Sequence, residues 1–570
     1  MSFNDSKQRI KFFETSILCT IFFTLILSMN YPSFTSITGG LFTPSNSTTW
    51  LGFASLMFAS VATIALRRRI KFSIIHVGYV ACLVLFLLPL LYSNTSFFKY
   101  EYMTILGILA AVSLIFVIAQ HSGNKFKRSV LLLLYLSSLI QTFWGLTQYY
   151  FISDSNILFV LADQGRPVGV FNQINIFSTY LSIGSLLAIY FLYTAKKQTV
   201  LLMAITFVVL IINAHLNVLA DTKTGRVVSL IAIGMYLAHY AFNRRSYMLP
   251  ICLLLCSIIF SFTPKHWFYD QLGETIAAPI GIQSIGVRPI IYSLSLDLIA
   301  QKPLTGYGIG SVRKEFAFKN GEYRQTHPNY LDSGQVAHVH NEILQWMIQH
   351  GLLSLFSFLT LFAVWVWGLK KKHLDPTILL LGLPFVGHSL LEFPFYDSAP
   401  HLLAFALILG MAIKRPCYKV NITQKMASST LLVACIVCFQ IVNFMFASLA
   451  SSKAHTQYHQ GGSQDITILE AVTPTSTFAL LYEIEKFEWK LDNGFKTGQI
   501  DKDDIFSFIN WAEEIKDYWP VNKVYIRLAQ SYIISQNYDA ANKILDEALF
   551  IFPDDPQVND MVSKMKQFIK

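Results

Sequence analysis

Apolar stretches long enough to cross a bilayer recur along most of this chain, separated by short polar loops, until the pattern changes near residue 450. A window of about 19 residues marks about thirteen spans. They begin near Glu14, Trp50, Phe72, Tyr102, Val130, Ile174, Val200, Val227, Met248, Ile343, Thr377, Ala399 and Ser429. The first run, Glu14 to Asn30, is signal-like, but a dozen spans follow and no small-residue cleavage site is obvious, so it reads as a retained helix. One long polar insert, Thr263 to Asn341, separates the ninth and tenth spans. The pattern predicts an all-α polytopic membrane bundle in four parts: residues 1–262, the N-terminal transmembrane helices; 263–341, a large polar loop; 342–450, the C-terminal transmembrane helices; and 451–570, a soluble helical domain.

The tail reads Tyr525-x2-Leu528-Ala529-x2-Tyr532, then Ala541, Leu545, Ala548 and Pro553. These offsets match the tetratricopeptide pattern of large, small and turn positions, with Ile505 to Trp519 as a degenerate preceding helix. A plain helical hairpin is the alternative reading.

Composition agrees with the apolar pattern. Of 570 residues 53% are hydrophobic and 14% charged, against about a quarter charged in soluble domains. The formal charge of +10 is uneven, because the tail holds 18 acidic against 12 basic residues. Most cations of the membrane part sit in short loops, which argues against nucleic acid as a partner. Those loops alternate. Lys7, Arg9 and Lys11 precede the first span, and Arg67-Arg68-Arg69, Lys125 with Lys127-Arg128, Lys196-Lys197, Arg244-Arg245, Lys370-Lys371-Lys372 and Lys414-Arg415 follow even-numbered spans. The charge rule puts that face and the N-terminus in the cytoplasm, and the insert and tail outside. Cys19, Cys82, Cys252, Cys256, Cys435 and Cys438 lie in apolar segments, Cys417 lies in a basic loop, and no pair reads as a disulfide.

Four stretches on the predicted outer face carry polar groups that membrane folding does not require. Arg166-Pro167-Val168-Gly169-Val170-Phe171-Asn172-Gln173-Ile174-Asn175 sets three amides at a helix entrance, suited to an anionic or sugar ligand or simply to capping. Asp221-Thr222-Lys223-Thr224-Gly225-Arg226 places cations on the wrong face for the charge rule, for function or for a local ion pair. The insert carries Arg288-Pro289-x2-Tyr292 at the start of a helical stretch, Gly306-Tyr307-Gly308-x-Gly310, and Arg313 and Arg324, which read individually as solvated charges. It ends in His338-Val339-His340-Asn341-Glu342, before an apolar helix from Ile343. His388 and Glu392 stand four apart on the eleventh span and would share a helix face, as a functional or a packing pair.

In order, these motifs resemble the O-antigen ligase and polymerase superfamily, above all its PglL-type O-oligosaccharyltransferases of bacterial protein glycosylation. The matching residues are Arg166 with Gly169, Asn172, Gln173 and Asn175; Thr224-Gly225-Arg226; Arg288-x3-Tyr292 with Pro303-x2-Gly306-x-Gly308; His338-x-His340-Asn341; and His388-x3-Glu392-Phe393-Pro394. Many relatives have Ser where this chain has Gly225, so a hydroxyl role is absent there. The ligase branch usually lacks a tail like this one. The resemblance implies transfer of a preassembled glycan from undecaprenyl diphosphate to Ser or Thr of a periplasmic or pilin-like protein, in the inner membrane, with no cofactor.

Departure of a diphosphate needs fixed cations, for which Arg288 and Arg226 are the candidates. Loss of the acceptor proton needs a base, for which His340 is first and His338 second, oriented by Asn341 or Glu342. Arg166, Asn172, Gln173, Asn175, Lys223, Tyr292, Asn341, His388 and Glu392 are the candidate substrate-binding residues. A metal held by the two histidines with His327 or Glu342, or two histidines without chemistry, are alternatives at that motif. Lipid A core or a growing O-antigen chain are alternative acceptors. A carrier-lipid flippase is the alternative class, against which the spans show no internal repeat.

Overall fold

Once polar backbone is excluded from water it must bond internally, and helices dominate accordingly. The structure is a computed structural model that describes residues 3–31, 39–94, 96–121, 123–151, 166–262, 283–327, 336–414, 418–460, 465–470, 472, 476–497 and 501–568. Residues 152–165 of the loop after the fifth expected span, 263–282 and 328–335 of the insert, and Cys417 lie outside the described residues. Among those described, nine helices are long and apolar enough to span: Pro44–Arg67, Ile74–Leu91, Phe98–Ala119, Asn124–Tyr150, Ile174–Thr194, Val200–Leu219, Lys223–Asn243, Leu352–Lys370 and Gln424–Gln460. Shorter apolar helices, Phe12–Ser28, Met248–Ser261, Pro376–Ser389 and Ala399–Ala412, occupy the other four expected spans. The chain is an all-α multi-pass membrane protein, and its six described cysteines are unbridged.

Two spans depart from expectation. The tenth does not run on from Ile343: Glu342–His350 ends at Gly351, and a separate helix, Leu352–Lys370, follows. Gly351 has φ +67°, and a Cβ there would lie 2.6 Å from the carbonyl oxygens of Pro303 and Leu304. The eleventh is broken into Pro376–Leu379, a 3-10 turn at Leu380–Gly382, and Leu383–Ser389, so Glu392 lies beyond the last helical turn.

The chain forms two compact units. The first contains Met1–Val80, Thr104–Pro279 and Leu361–Phe478. Its centre is Ile174–Thr194, with 94% of its most hydrophobic stretch buried among Asn124–Tyr150, Val200–Leu219 and Lys223–Arg244. Small residues permit that closeness. A Cβ on Gly184 would stand 2.0 Å from Ser138 Oγ. Buried amides tie the helices together: Thr142 Oγ1 donates to Asn213 Oδ1 (2.8 Å), and Asn213 Nδ2 donates to the Leu181 carbonyl and to Ser185 Oγ, both at 3.0 Å.

At one end of this unit the basic exits of four spans meet. An antiparallel ribbon pairs Arg69–Phe72 with Tyr418–Asn421. Lys127 Nζ donates to the Ile413 carbonyl at 2.7 Å, and the Lys414 N–H donates to the His373 carbonyl at 2.8 Å. The ribbon is too short to show as a period-2 pattern.

The second unit contains Ala81–Met103, Ile280–Thr360 and Ala479–Lys570. Gln283–Gln301, Val312–Thr326 and Glu342–His350 share an apolar core that includes Leu294, Leu298, Phe316, Val339 and Ile348. The tail helices Lys502–Tyr518, Asn522–Ile534, Tyr538–Ile551 and Pro556–Phe568 share another. Of the eight positions behind the repeat reading, Tyr525, Leu528, Ala529, Ala541, Leu545 and Ala548 are buried there, while Tyr532 and Pro553 are half-buried.

This tail grips Val312–Thr326, where the sequence suggested only solvated charge. Arg324 is 8% exposed and pairs with Asp554. Arg313 lies over Tyr518 and Trp519, 5.3 and 5.5 Å from the ring centroids. Lys314 meets Asp517 at 2.9 Å, and Phe318 meets Phe550. The reason is the apolar strip Phe316, Ala317, Phe318, which draws the flanking arginines out of water.

A Cβ on Gly321 would fall 2.8 Å from the Phe550 carbonyl oxygen. Gly321→Val should therefore loosen the tail, read as faster limited proteolysis between residues 470 and 505, while Lys319→Ala should leave the digestion pattern unchanged.

Candidate functional site

The candidate residues divide between the two units. In the second, the residues before Glu342–His350 form a tight cap. Asn341 is the N-cap, its Oδ1 accepting from the Leu344 N–H at 3.0 Å. Glu342 Oε2 accepts from Trp346 Nε1–H (3.0 Å), and Gln345 Oε1 accepts from the Val339 N–H (3.1 Å). Asn341 and Glu342 thus have structural partners of their own beside any orienting role.

His340 takes φ +53°, a region costly for a residue with a Cβ. Its carbonyl accepts a hydrogen bond from Tyr292 Oη at 3.0 Å. Tyr292 stands four residues after Arg288 on Gln283–Gln301, so both share one helix face. That helix starts at Gln283 and holds Pro289 inside it, rather than beginning at Arg288. The bond thus ties the face bearing Arg288 to the histidine loop.

His338 keeps part of its surface exposed, but its Nδ1 is buried. Burial, then the charges of Arg313 and His340, pull it down to about 3. It is neutral at physiological pH and a weak proton acceptor. Arg313, read from the sequence as solvent-facing, is one of the cations acting on this loop.

The glycines of the insert are close backbone approaches. A Cβ on Gly306 would meet the Gln349 carbonyl oxygen at 2.3 Å, and one on Gly308 the Asn94 carbonyl oxygen at 2.0 Å. The N–H groups of Tyr307 and Gly308 donate to the carbonyls of Ile348 and Gln349.

For the metal alternative, His327 stacks on Tyr323 (centroids 4.0 Å apart). Among the described residues no three His, Cys, Asp or Glu side chains converge as a metal-holding group.

In the first unit the motifs meet at the start of Ile174–Thr194. Asn175 Nδ2 donates to Glu392 Oε1 (3.4 Å), and Thr222 Oγ1 donates to Asn175 Oδ1. Thr179 Oγ1 bonds His388 Nδ1 at 2.7 Å. His388 and Glu392 are 1% and 5% exposed. Thr222 caps Lys223–Arg244 by accepting from the Gly225 N–H (2.9 Å), and Arg226 Nε donates to the Thr222 carbonyl (3.1 Å). The local ion pair of Arg226 with Asp221 exists at 3.9 Å, while Lys223 is exposed.

Simple capping does not explain the amides. Gln173 holds the N-cap position without a side-chain cap bond, Asn172 sits at φ +56°, and Asn175 faces Glu392. Arg166 is half-buried at the start of the motif. The backbone after it is clasped by two residues that the sequence reading missed. Gln148 Oε1 accepts from the N–H groups of Val168 and Gly169, and Gln141 Oε1 from that of Val170. Seven residues apart on one apolar helix, these glutamines were the available signal.

Gly225 is a close approach. An added Cβ would stand 1.9 Å from Ser178 Oγ, which donates to Asn217 Oδ1 at 2.6 Å. The serine common among relatives does not fit here. Gly225→Ser should cost about 1–3 kcal/mol, seen as a lower thermal midpoint in detergent and partly restored by Ser178→Gly.

His338 provides a pH signature. Its folded pKa lies below the unfolded value of 6.5, so the unfolded chain binds the proton more readily. Its contribution to stability is full above about 6.5 and is lost as pH falls towards about 3. His338→Gln should flatten the fall in thermal midpoint between about pH 7 and about pH 4. An unchanged slope would remove His338 as its source.

Two stretches match known families. Residues 208–359 match the family described as O-antigen ligase, and residues 377–565 that described as virulence factor membrane-bound polymerase, C-terminal. The first contains Arg226, Arg288, Tyr292, His338, His340 and Asn341; the second contains His388, Glu392 and most of the tail. The O-antigen ligase of Escherichia coli (strain K12) is 25% identical over 256 residues, 43% of this chain and 59% of that protein. The matched region thus spans less than two thirds of that relative's length. Together the matches support a similarity of this chain to the O-antigen ligase and polymerase superfamily.

Proposed function

We propose that this protein moves a preassembled oligosaccharide from undecaprenyl diphosphate to Ser or Thr hydroxyls of periplasmic or pilin-like proteins, at the outer face of the bacterial cytoplasmic membrane. The acceptor oxygen attacks the anomeric carbon as the bond from that carbon to the diphosphate oxygen breaks, so the centre inverts. The acceptor proton passes to His340, and the departing diphosphate carries the negative charge to arginine. Arg288 and Arg226 take that charge, because a guanidinium offers a paired fork to two phosphate oxygens.

One observation carries the reading. Tyr292 binds the strained His340 backbone and shares a helix face with Arg288, within the segment similar to O-antigen ligases. The depressed His338 favours His340 as the base. The meeting of the basic exits supports a cytoplasmic N-terminus, with loop and tail outside. The buried offsets of the tail support a tetratricopeptide-like module for holding a protein acceptor.

The alternative is transfer to lipid A core, or polymerisation of O-antigen, which the family matches favour equally. Cells supplied with both a pilin and lipid A core separate the readings: mass spectrometry should find glycan on the pilin. Glycan on lipid A alone would overturn the protein acceptor. His340→Ala should abolish product, whereas undiminished product would point to a transporter or scaffold. Arg288→Ala and Arg226→Ala should each lower transfer roughly ten- to a hundredfold. Transfer should persist after chelation of divalent ions, because no step uses a metal.

A further inference from the structure

At the first unit's basic end, two nitrogen-rich side chains, half-buried Arg67 and buried His121, keep buried nitrogens without a bond among the described residues. Arg67, in the last turn of Pro44–Arg67, has Nε and Nη2 buried and unbonded among the described residues. His121, just past Phe98–Ala119, is 1% exposed, and both its ring nitrogens are likewise buried and unbonded. Its ring is held against Phe126, with centroids 5.1 Å apart.

The two chain segments are tied together. The Lys71 N–H donates to Gln120 Oε1 at 2.8 Å, Gln120 Nε2 donates back to the Lys71 carbonyl at 2.7 Å, and Lys71 Nζ reaches the Gln120 carbonyl at 3.4 Å. Arg67 and His121 therefore flank one clasp, with Lys71 within it. The charges of Arg67 and Lys71 both act on His121, and those of Arg69 and Lys419 on Lys71. Glu14 is the acidic group acting on Arg67 and Lys71. Four cations thus face one carboxylate.

Buried N–H groups of a guanidinium go unbonded only at a cost, and an oxyanion is the ligand that satisfies the fork of Nε and Nη2. The position at the end of a spanning helix is the level of lipid headgroups, and Leu66, next to Arg67, and Phe12, two residues before Glu14, are 62% and 67% exposed apolar side chains.

We propose that Arg67, Lys71 and His121 form a binding site for the phosphate of an anionic membrane phospholipid on the basic face of the protein. Arg67 takes two phosphate oxygens, Lys71 adds charge, and neutral His121 donates one ring N–H. This site is independent of the transfer chemistry.

The test uses the full-length protein. Native mass spectrometry of wild type released from mild detergent should show retained phosphatidylglycerol, lost in Arg67→Gln and His121→Phe. Lys196→Gln with Lys197→Gln, in another basic loop, should keep it. In phosphatidylcholine nanodiscs, titrated phosphatidylglycerol should raise the thermal midpoint of wild type, with roughly ten- to a hundredfold more lipid needed for Arg67→Gln. Inorganic phosphate at millimolar concentration should give no shift. Equal retention by wild type and Arg67→Gln overturns the site, as does loss in the Lys196/Lys197 control. A shift from inorganic phosphate alone overturns the lipid assignment. Should Arg67→Gln fail to fold, Lys71→Gln, a change at a half-exposed side chain, carries the same comparison.

Discussion

A polar group inside a membrane protein must find its partner in the protein, and this constraint shapes the first unit. Ile174–Thr194 is enclosed by other helices, yet its first turns carry Asn175, Ser178 and Thr179. Each is satisfied from a different chain segment: Asn175 by Thr222 and Glu392, Ser178 by Asn217, Thr179 by His388. With no water to compete, those bonds set where the surrounding segments can stop. The polar cluster that holds several candidate substrate-binding residues is thus also the joint that orders the bundle. Changes there will mix folding and function, and only paired variants can separate the two.

The second unit follows a different rule. Its insert helices share a modest apolar core, and Val312–Thr326 offers a further strip that the tail covers. Arginine suits such a seam because its planar head stacks on aromatic rings while its stem lies on apolar surface. Arg313 does this against Tyr518 and Trp519, and its charge also acts on His338. The tail is therefore coupled to the electrostatics of the histidine loop.

Of the seven non-glycine residues with positive φ among the described residues, three lie in the motifs: His340, Asn172 and Asp221. Such conformations cost about 1–3 kcal/mol and persist only when surrounding contacts impose them. Here those contacts are Tyr292 on His340, the glutamine clasp before Asn172, and the Thr222 cap after Asp221.

Much of this was written locally in the chain. Among the described residues the roughly thirteen apolar runs correspond to nine helices long enough to span and four shorter apolar stretches, because a span is a property of about twenty consecutive residues. Two of the polar residues in the motifs, Asn341 and Thr222, cap helix starts, because capping uses neighbours three residues away. What lay beyond the sequence depended on partners distant along it. Arg324 looked solvated until Asp554, 230 residues later, met it. Gly351 read as part of a continuous span until the Pro303 and Leu304 carbonyls closed on it. Gly225 looked like a lost hydroxyl until Ser178 filled the space. Periodicity records which face of an element is apolar; which surface comes to cover that face is decided only by packing.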